Sequence, residues 1–143
     1  MSVPAEIAPD PTETARTLAV ALGGASGALL RFAVELLCAA ALPASLALTS
    51  ALLAVNLLGA ALLGVLAGRL ERRDGNPLLT AFLGTGLCGA FTTFSGFTLH
   101  LDRLHQTEGQ LTAAIFFVLS LAGGASGYSI GRLLGRRIDG PSQ

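Results

Sequence analysis

The sequence predicts an all-α membrane protein with four transmembrane helices, the third broken near its centre. Three observations carry this. Of 143 residues, 52% are hydrophobic and only 13% charged, against about a quarter charged in soluble domains. The apolar residues collect in four windows, each close to the ~20 residues a helix needs to cross a bilayer core. The third window holds Gly84, Gly86, Gly89 and Gly96 with the adjacent β-branched pair Thr92-Thr93, a poor helix interior.

Residues 1–16 are Pro-rich and acidic, with Pro4, Pro9, Pro11, Glu6, Asp10 and Glu13 and no basic residue before Arg16. They read as a disordered tail and not as a signal peptide. Residues 17–137 form the membrane domain, with helices over 18–42, 46–68, 78–99 and 111–134, and 138–143 form a C-terminal tail. Lipid offers the backbone no hydrogen-bond partner, and the windows lack the alternation of a barrel strand, so they are helices. The links are short: Pro43-Ala44-Ser45, then residues 69–77 containing Asp74-Gly75-Asn76-Pro77, then residues 100–110. Short links make consecutive helices antiparallel neighbours. Gly23 and Gly27, Gly64 and Gly68, and the ladder Gly123, Gly127, Gly131 and Gly135 have the spacing of faces on which helices approach closely in lipid.

Charge distribution orients the chain. The basic residues are all Arg. Seven of them (Arg16, Arg69, Arg72, Arg73, Arg132, Arg136, Arg137) fall on the side of the termini and of the link between the second and third helices, and only Arg103 on the other. The positive-inside rule therefore predicts a multi-pass cell-membrane protein with cytoplasmic termini. The Arg form no patch that could track phosphates, which argues against nucleic-acid binding. Cys38 and Cys88 lie far apart within apolar windows and read as packing residues. An enzyme is disfavoured, because His100 and His105 fall in a link and no nucleophile has a placed base.

Polar groups at membrane depth need a partner or a function. Arg31 and Glu35, four residues apart, either form a self-satisfied ion pair or mark a vestibule that attracts anions. Asn56 either joins two helices or presents its amide to a pore. In the third helix a break over Gly89 to Thr93 frees carbonyls that can hold a cation. Beyond it, Phe91, Phe94 and Phe97 recur every third residue, and Thr92, Ser95 and Thr98 do so one position along. Each hydroxyl alone could simply bond back to the preceding turn. Together they suit a small hydrated anion, because hydroxyl and amide hydrogens replace its water and phenylalanine ring edges carry positive quadrupole charge. Ser120, one turn from Phe116, extends the polar lining.

The strings Gly23-Gly24-Ala25-Ser26-Gly27-Ala28-Leu29-Leu30-Arg31-Phe32, Asn56-Leu57-Leu58-Gly59 and Gly89-Ala90-Phe91-Thr92-Thr93-Phe94-Ser95-Gly96-Phe97 resemble the CrcB/Fluc family of bacterial fluoride channels. The resemblance implies a dimer of antiparallel, oppositely oriented subunits that lowers cytoplasmic fluoride by passive efflux. It implies a structural, non-transported sodium ion held by the backbone carbonyls of Gly89 and Thr92. It also implies that Phe94 and Phe97 are pore phenylalanines and that Asn56 and Ser120 belong to the polar lining; with Ser95 and Thr98 of the hydroxyl stripe they make the candidate fluoride path, and Arg31 is the vestibule or structural candidate. The chain departs from the family pattern at Gly96, where Thr is usual, at Leu52 and Leu53, where a Thr is common, and at Phe116, where Tyr is frequent. The seven-to-one Arg bias is a further departure from members that insert in both orientations, and it predicts a chain of fixed orientation whose partner is an oppositely inserted paralogue rather than itself. The competing reading is a small four-helix multidrug or cation exporter using Glu35. A scaffold built only on the Gly faces leaves the break unexplained.

Overall fold

A computed structural model describes residues 11–71 and 75–138. The leader 1–10, Arg72, Arg73, Asp74 and the tail 139–143 lie outside the described residues. Four helical spans are long and apolar enough to cross a membrane. Helix α1 is Pro11–Ala41 and α2 is Ala44–Leu70. The third span runs Pro77–Glu108 and is interrupted. Its first half, α3, opens as Pro77–Thr80, widens to a π-helix over Ala81–Cys88 and closes with Gly89–Phe91. Its second half, α4, is Phe94–Glu108, and α5 is Gln110–Ile138.

Two boundaries differ from the sequence expectation. The tail expected through residue 16 is helical from Pro11. Proline is suited to a first helical position, Glu13 sits in the first turn where the helix dipole favours it, and Thr17 Oγ1 donates to the Glu13 carbonyl at 3.0 Å. The link expected over 100–110 is also helical, to Glu108, and the turn to α5 contains only Gly109, at φ 90°. Asp102, Arg103, His105 and Gln106 are the outer face of an amphipathic helix whose Leu101 and Leu104 pack inward. At φ 90° only glycine is free of strain, so Gly109 is the residue this tight turn requires. The start of α3 follows its sequence signal. Asn76 Oδ1 accepts from Leu78 N at 2.9 Å and Leu79 N at 3.4 Å, and Pro77 fills the first helical position.

Glycines, rather than link length, decide which helices pair. The most extensive packing joins α2 to α5 and α1 to α3, neither pair consecutive in the chain. A Cβ at Gly64 or Gly68 would run into the carbonyl oxygens of Tyr128 or Arg132, and one at Gly131 or Gly135 into those of Ala61 or Val65. Across the other pair, a Cβ at Gly23 or Gly27 would strike the carbonyls of Phe82 or Leu87, and one at Gly86 the carbonyl of Val20. These are backbone-to-backbone contacts of the kind small residues permit in lipid. Outside them the surface is leucine, as at Leu22, Leu29, Leu37 and Leu133, all more than half exposed and suited to acyl chains.

On the side of the termini, Glu71, just beyond the end of α2, joins α5. Its carboxylate accepts from Arg132 Nε at 2.5 Å and from Arg136 Nε at 2.7 Å, and it also pairs with Arg136 Nη2. The hydrogen bonds from Arg132 first, then from Arg136, hold its pKa below the usual carboxylate value. A depressed carboxylate pKa contributes stability above the unfolded-state value, and that stability is lost as pH falls through the folded value. Glu71→Gln is therefore expected to lower the thermal midpoint at neutral pH, with the gap to the parent protein closing as the pH drops below the ordinary carboxylate range. Parallel melting curves from pH 7 to pH 3 check this.

Candidate ion pathway

The break falls at Thr92 (φ −78°, ψ 156°) and Thr93 (φ −143°, ψ 121°), midway along the third span. Gly89 itself keeps helical angles. Asn56 on α2 holds the break open with both ends of its amide: Thr93 N donates to Oδ1 at 2.9 Å, and Nδ2 donates to the Thr93 carbonyl at 3.3 Å. Gly59, one turn on, leaves room for the Thr92 methyl and the Phe91 ring. Thr93 then caps α4, its Oγ1 accepting from Gly96 N at 3.0 Å.

These bonds redirect two donors. In an unbroken helix the Thr93 N–H would pair with the Gly89 carbonyl and the Gly96 N–H with the Thr92 carbonyl. Here Asn56 and the Thr93 hydroxyl take those donors instead. The Gly89 and Thr92 carbonyls thus both lose their regular helical partners at membrane depth, and neutral carbonyl oxygens are a donor set that suits a hard cation such as sodium.

The break also splits the aromatic stripe. Phe91 is buried before it. Beyond it Phe94 is 79% exposed while Phe97 is buried. Phe94 and Phe97 lie 6.1 Å apart, and Phe97 stacks on Phe116 at 5.4 Å. Among the hydroxyls, Thr92 Oγ1 donates to the Cys88 carbonyl and Thr98 Oγ1 to the Ser95 carbonyl, at 2.9 and 3.0 Å. Ser95 is exposed and reaches only Thr93 Oγ1, at 3.4 Å. Ser120 Oγ is buried without a hydrogen-bond partner. Arg31 Nε stands 3.9 Å from Glu35 Oε1, both side chains partly exposed.

A cavity of about 780 Å³ brings several of these groups together, with Arg31, Glu35, Arg103, Thr93, Ser95 and Gly96 in its lining. Asn56, Phe94, Phe97, Thr98 and Ser120 are not in its wall. Gly96, Leu52 and Phe116, the departures from the expected pattern, are neighbours. A Cβ at Gly96 would come within 3.0 Å of Leu52 Cδ2 and 2.9 Å of Thr93 Cγ2, and Leu52, Phe97 and Phe116 form one apolar cluster. Leu52 thus fills space that a larger residue at 96 would need.

Two further groups at the site escape a reading of the sequence by composition. Thr93 acts through its backbone and as a cap, which a hydroxyl residue immediately before an apolar run signals. His100, read as part of a link, lies inside α4 and is buried. The spacing Phe97, His100, Leu101, Leu104 is the helical signal that would have found it.

Comparison with known proteins identifies the family. Residues 18–132 match the family described as CrcB-like protein, Camphor Resistance (CrcB). A fluoride-specific ion channel FluC of Novosphingobium aromaticivorans is 37% identical over 122 residues, 85% of this chain and 97% of the relative. FluC 2 of Bacillus subtilis is 40% identical over 126 residues, 87% of this chain and 91% of its own length. FluC of Deinococcus radiodurans is 40% identical over 120 residues, 83% and 94% respectively. On a match that spans the four helices and the break between Phe91 and Phe94, the chain belongs to the CrcB family, a family of ion channels and not of enzymes.

Proposed function

We propose that the protein is a fluoride-specific channel that lowers cytoplasmic fluoride by passive efflux. The observation that carries this most directly is the surface at the break, where the freed Gly89 and Thr92 carbonyls, Ser95 and the 79% exposed Phe94 ring stand together at mid-membrane. Lipid cannot satisfy those oxygens. A second subunit in the opposite orientation covers them, and the two sets of carbonyls hold a structural sodium ion between the broken helices. Sodium supplies fixed positive charge at the centre of the assembly. Fluoride enters the cell as neutral hydrogen fluoride, ionises, and leaves as the anion past Arg31, Ser95 and the edges of Phe94 and Phe97, with Ser120, Thr98 and the Asn56 amide beside the path.

Termini on the cytoplasmic side follow from seven Arg against one. A chain so biased takes one orientation, and its partner is then an oppositely inserted paralogue. The exporter reading built on Glu35 gives way to the family finding, and Glu35 already faces Arg31.

Fluoride efflux from liposomes, read with a fluoride electrode, tests the proposal. Protein prepared in sodium is expected to release fluoride and retain chloride, and protein prepared with sodium replaced by a large organic cation is expected to lose most of that flux. Flux only after co-reconstitution with a paralogue identifies a heterodimer, and flux from the chain alone a homodimer. No fluoride-selective leak in either preparation overturns the channel reading.

A further inference from the structure

Among the described residues, His100 Nδ1 and Ser120 Oγ are the buried side-chain polar atoms without a hydrogen-bond partner. Ser120 belongs to the path already described. His100 has no part in it so far, although it is 94% buried, with 6% relative exposure, at a place where an unpartnered polar group is costly. Its Nε2 lies 2.7 Å from Thr49 Oγ1 on α2, and its ring meets Phe116 edge to face at 5.1 Å, on the aromatic stack that includes Phe97. It also lines the 780 Å³ cavity that holds Arg31 and Ser95. The charged groups in the same lining are Arg31, Glu35, Asp102 and Arg103.

We propose that His100 is an anion-binding residue of the pathway, its Nδ1–H donating to the transiting fluoride between the Arg31 and Arg103 vestibule and the Phe97 ring. This rests on the fluoride-channel reading. Thr49 admits the tautomer that the proposal needs: its hydroxyl can donate to Nε2 or accept from it, and when it donates, the ring proton sits on Nδ1 and a neutral imidazole offers one unused donor. That donor has no partner within the subunit, and a small dehydrating anion is the ligand that gives it one. The competing role is purely structural, a histidine kept to join α4 to Thr49. The two roles use different nitrogens, so they predict opposite orders for two substitutions.

An Asn side chain reaches the position of Nδ1 and a Gln side chain that of Nε2. If Nδ1 binds the anion, His100→Asn retains most of the fluoride efflux while His100→Gln loses it by roughly tenfold, the effect of removing one hydrogen bond to an ion. Both are compared with the parent protein in liposomes at pH 7.5, each checked for an unchanged size-exclusion profile in detergent. His100→Gln conducting like the parent, or His100→Asn as the weaker of the two, overturns the proposal while parental flux leaves the channel reading intact. All variants are reconstituted in the preparation, chain alone or with the paralogue, in which the parent conducts; absence of parental flux in both preparations is a failure of the channel reading instead. Thr49→Val supplies a further readout that does not alter the histidine: without a hydroxyl donating to Nε2 the Nδ1–H tautomer loses its support, flux is expected to fall severalfold, and unchanged flux counts against the proposal.

Discussion

Replacement of Asn56 by Leu is expected to destabilise the protein by about 2–5 kcal/mol and to abolish fluoride flux. The stability loss comes from two backbone groups of Thr93 left without partners, an N–H and a carbonyl, each costing about 1–3 kcal/mol when buried unsatisfied. The functional loss has a separate cause. Asn56 is also what holds Thr93 in its non-helical conformation, so without it the Gly89 and Thr92 carbonyls are no longer held in place and the proposed cation seat loses its geometry. Asn56→Asp keeps the acceptor for Thr93 N but replaces the Nδ2 donor by an oxygen facing the Thr93 carbonyl, so its melting temperature is expected to approach that of the parent only as the pH falls and the protonated carboxyl donates in place of Nδ2. Thermal unfolding in detergent together with liposome efflux distinguishes the two effects. An Asn56→Leu protein with parental stability and flux would mean that the break stands without its clamp.

The second large effect is expected at Gly131. Its absent side chain lets α5 rest on the Ala61 carbonyl of α2. Gly131→Ala must push the two helices apart at their main interface, a form of overpacking that costs about 1–3 kcal/mol, and Gly131→Val more. Expression level and melting temperature should fall in that order. Gly124→Ala, on the same helix with no heavy atom within 4 Å of the added methyl, is expected to match the parent. Equal losses at both positions would show that the close contact is not their cause, and helix propensity could not be either, because alanine favours a helix more than glycine does.

The four spans were legible because lipid makes each of them an apolar run of sufficient length, and the window boundaries moved by only a few residues except where polar residues continue a helix. Those exceptions are the start of α1 at Pro11 and the length of α4. Asp102, Arg103, His105 and Gln106 look like a link by composition, but Leu101 and Leu104 supply the inward face, and one glycine at positive φ does the turning. The break was legible from its glycines and paired threonines. Its placement at Thr92 and Thr93, the far end of the expected stretch Gly89 to Thr93, was not, because it depends on Asn56, 37 residues from Thr93. Spacing offered two uses for the Asn56 amide and could not show both ends bonded to one residue. The glycine faces were visible as patterns, whereas their partners were not: a small residue announces that a neighbour comes close without saying which neighbour.

The same glycines divide the subunit mechanically. Where α2 meets α5 and α1 meets α3, one backbone rests on another, so there is little between them to compress or rearrange. Helix α4 is seated differently, through its own Phe97 on the side chains of Leu52 and Phe116, and it is joined to α3 through Thr92 and Thr93, whose extended angles interrupt the helix. The subunit is therefore rigid along its two glycine seams and compliant along one half-helix. That half-helix carries Phe94 and Ser95, so small displacements that adjust the width of an ion passage can occur there without loosening the rest of the bundle.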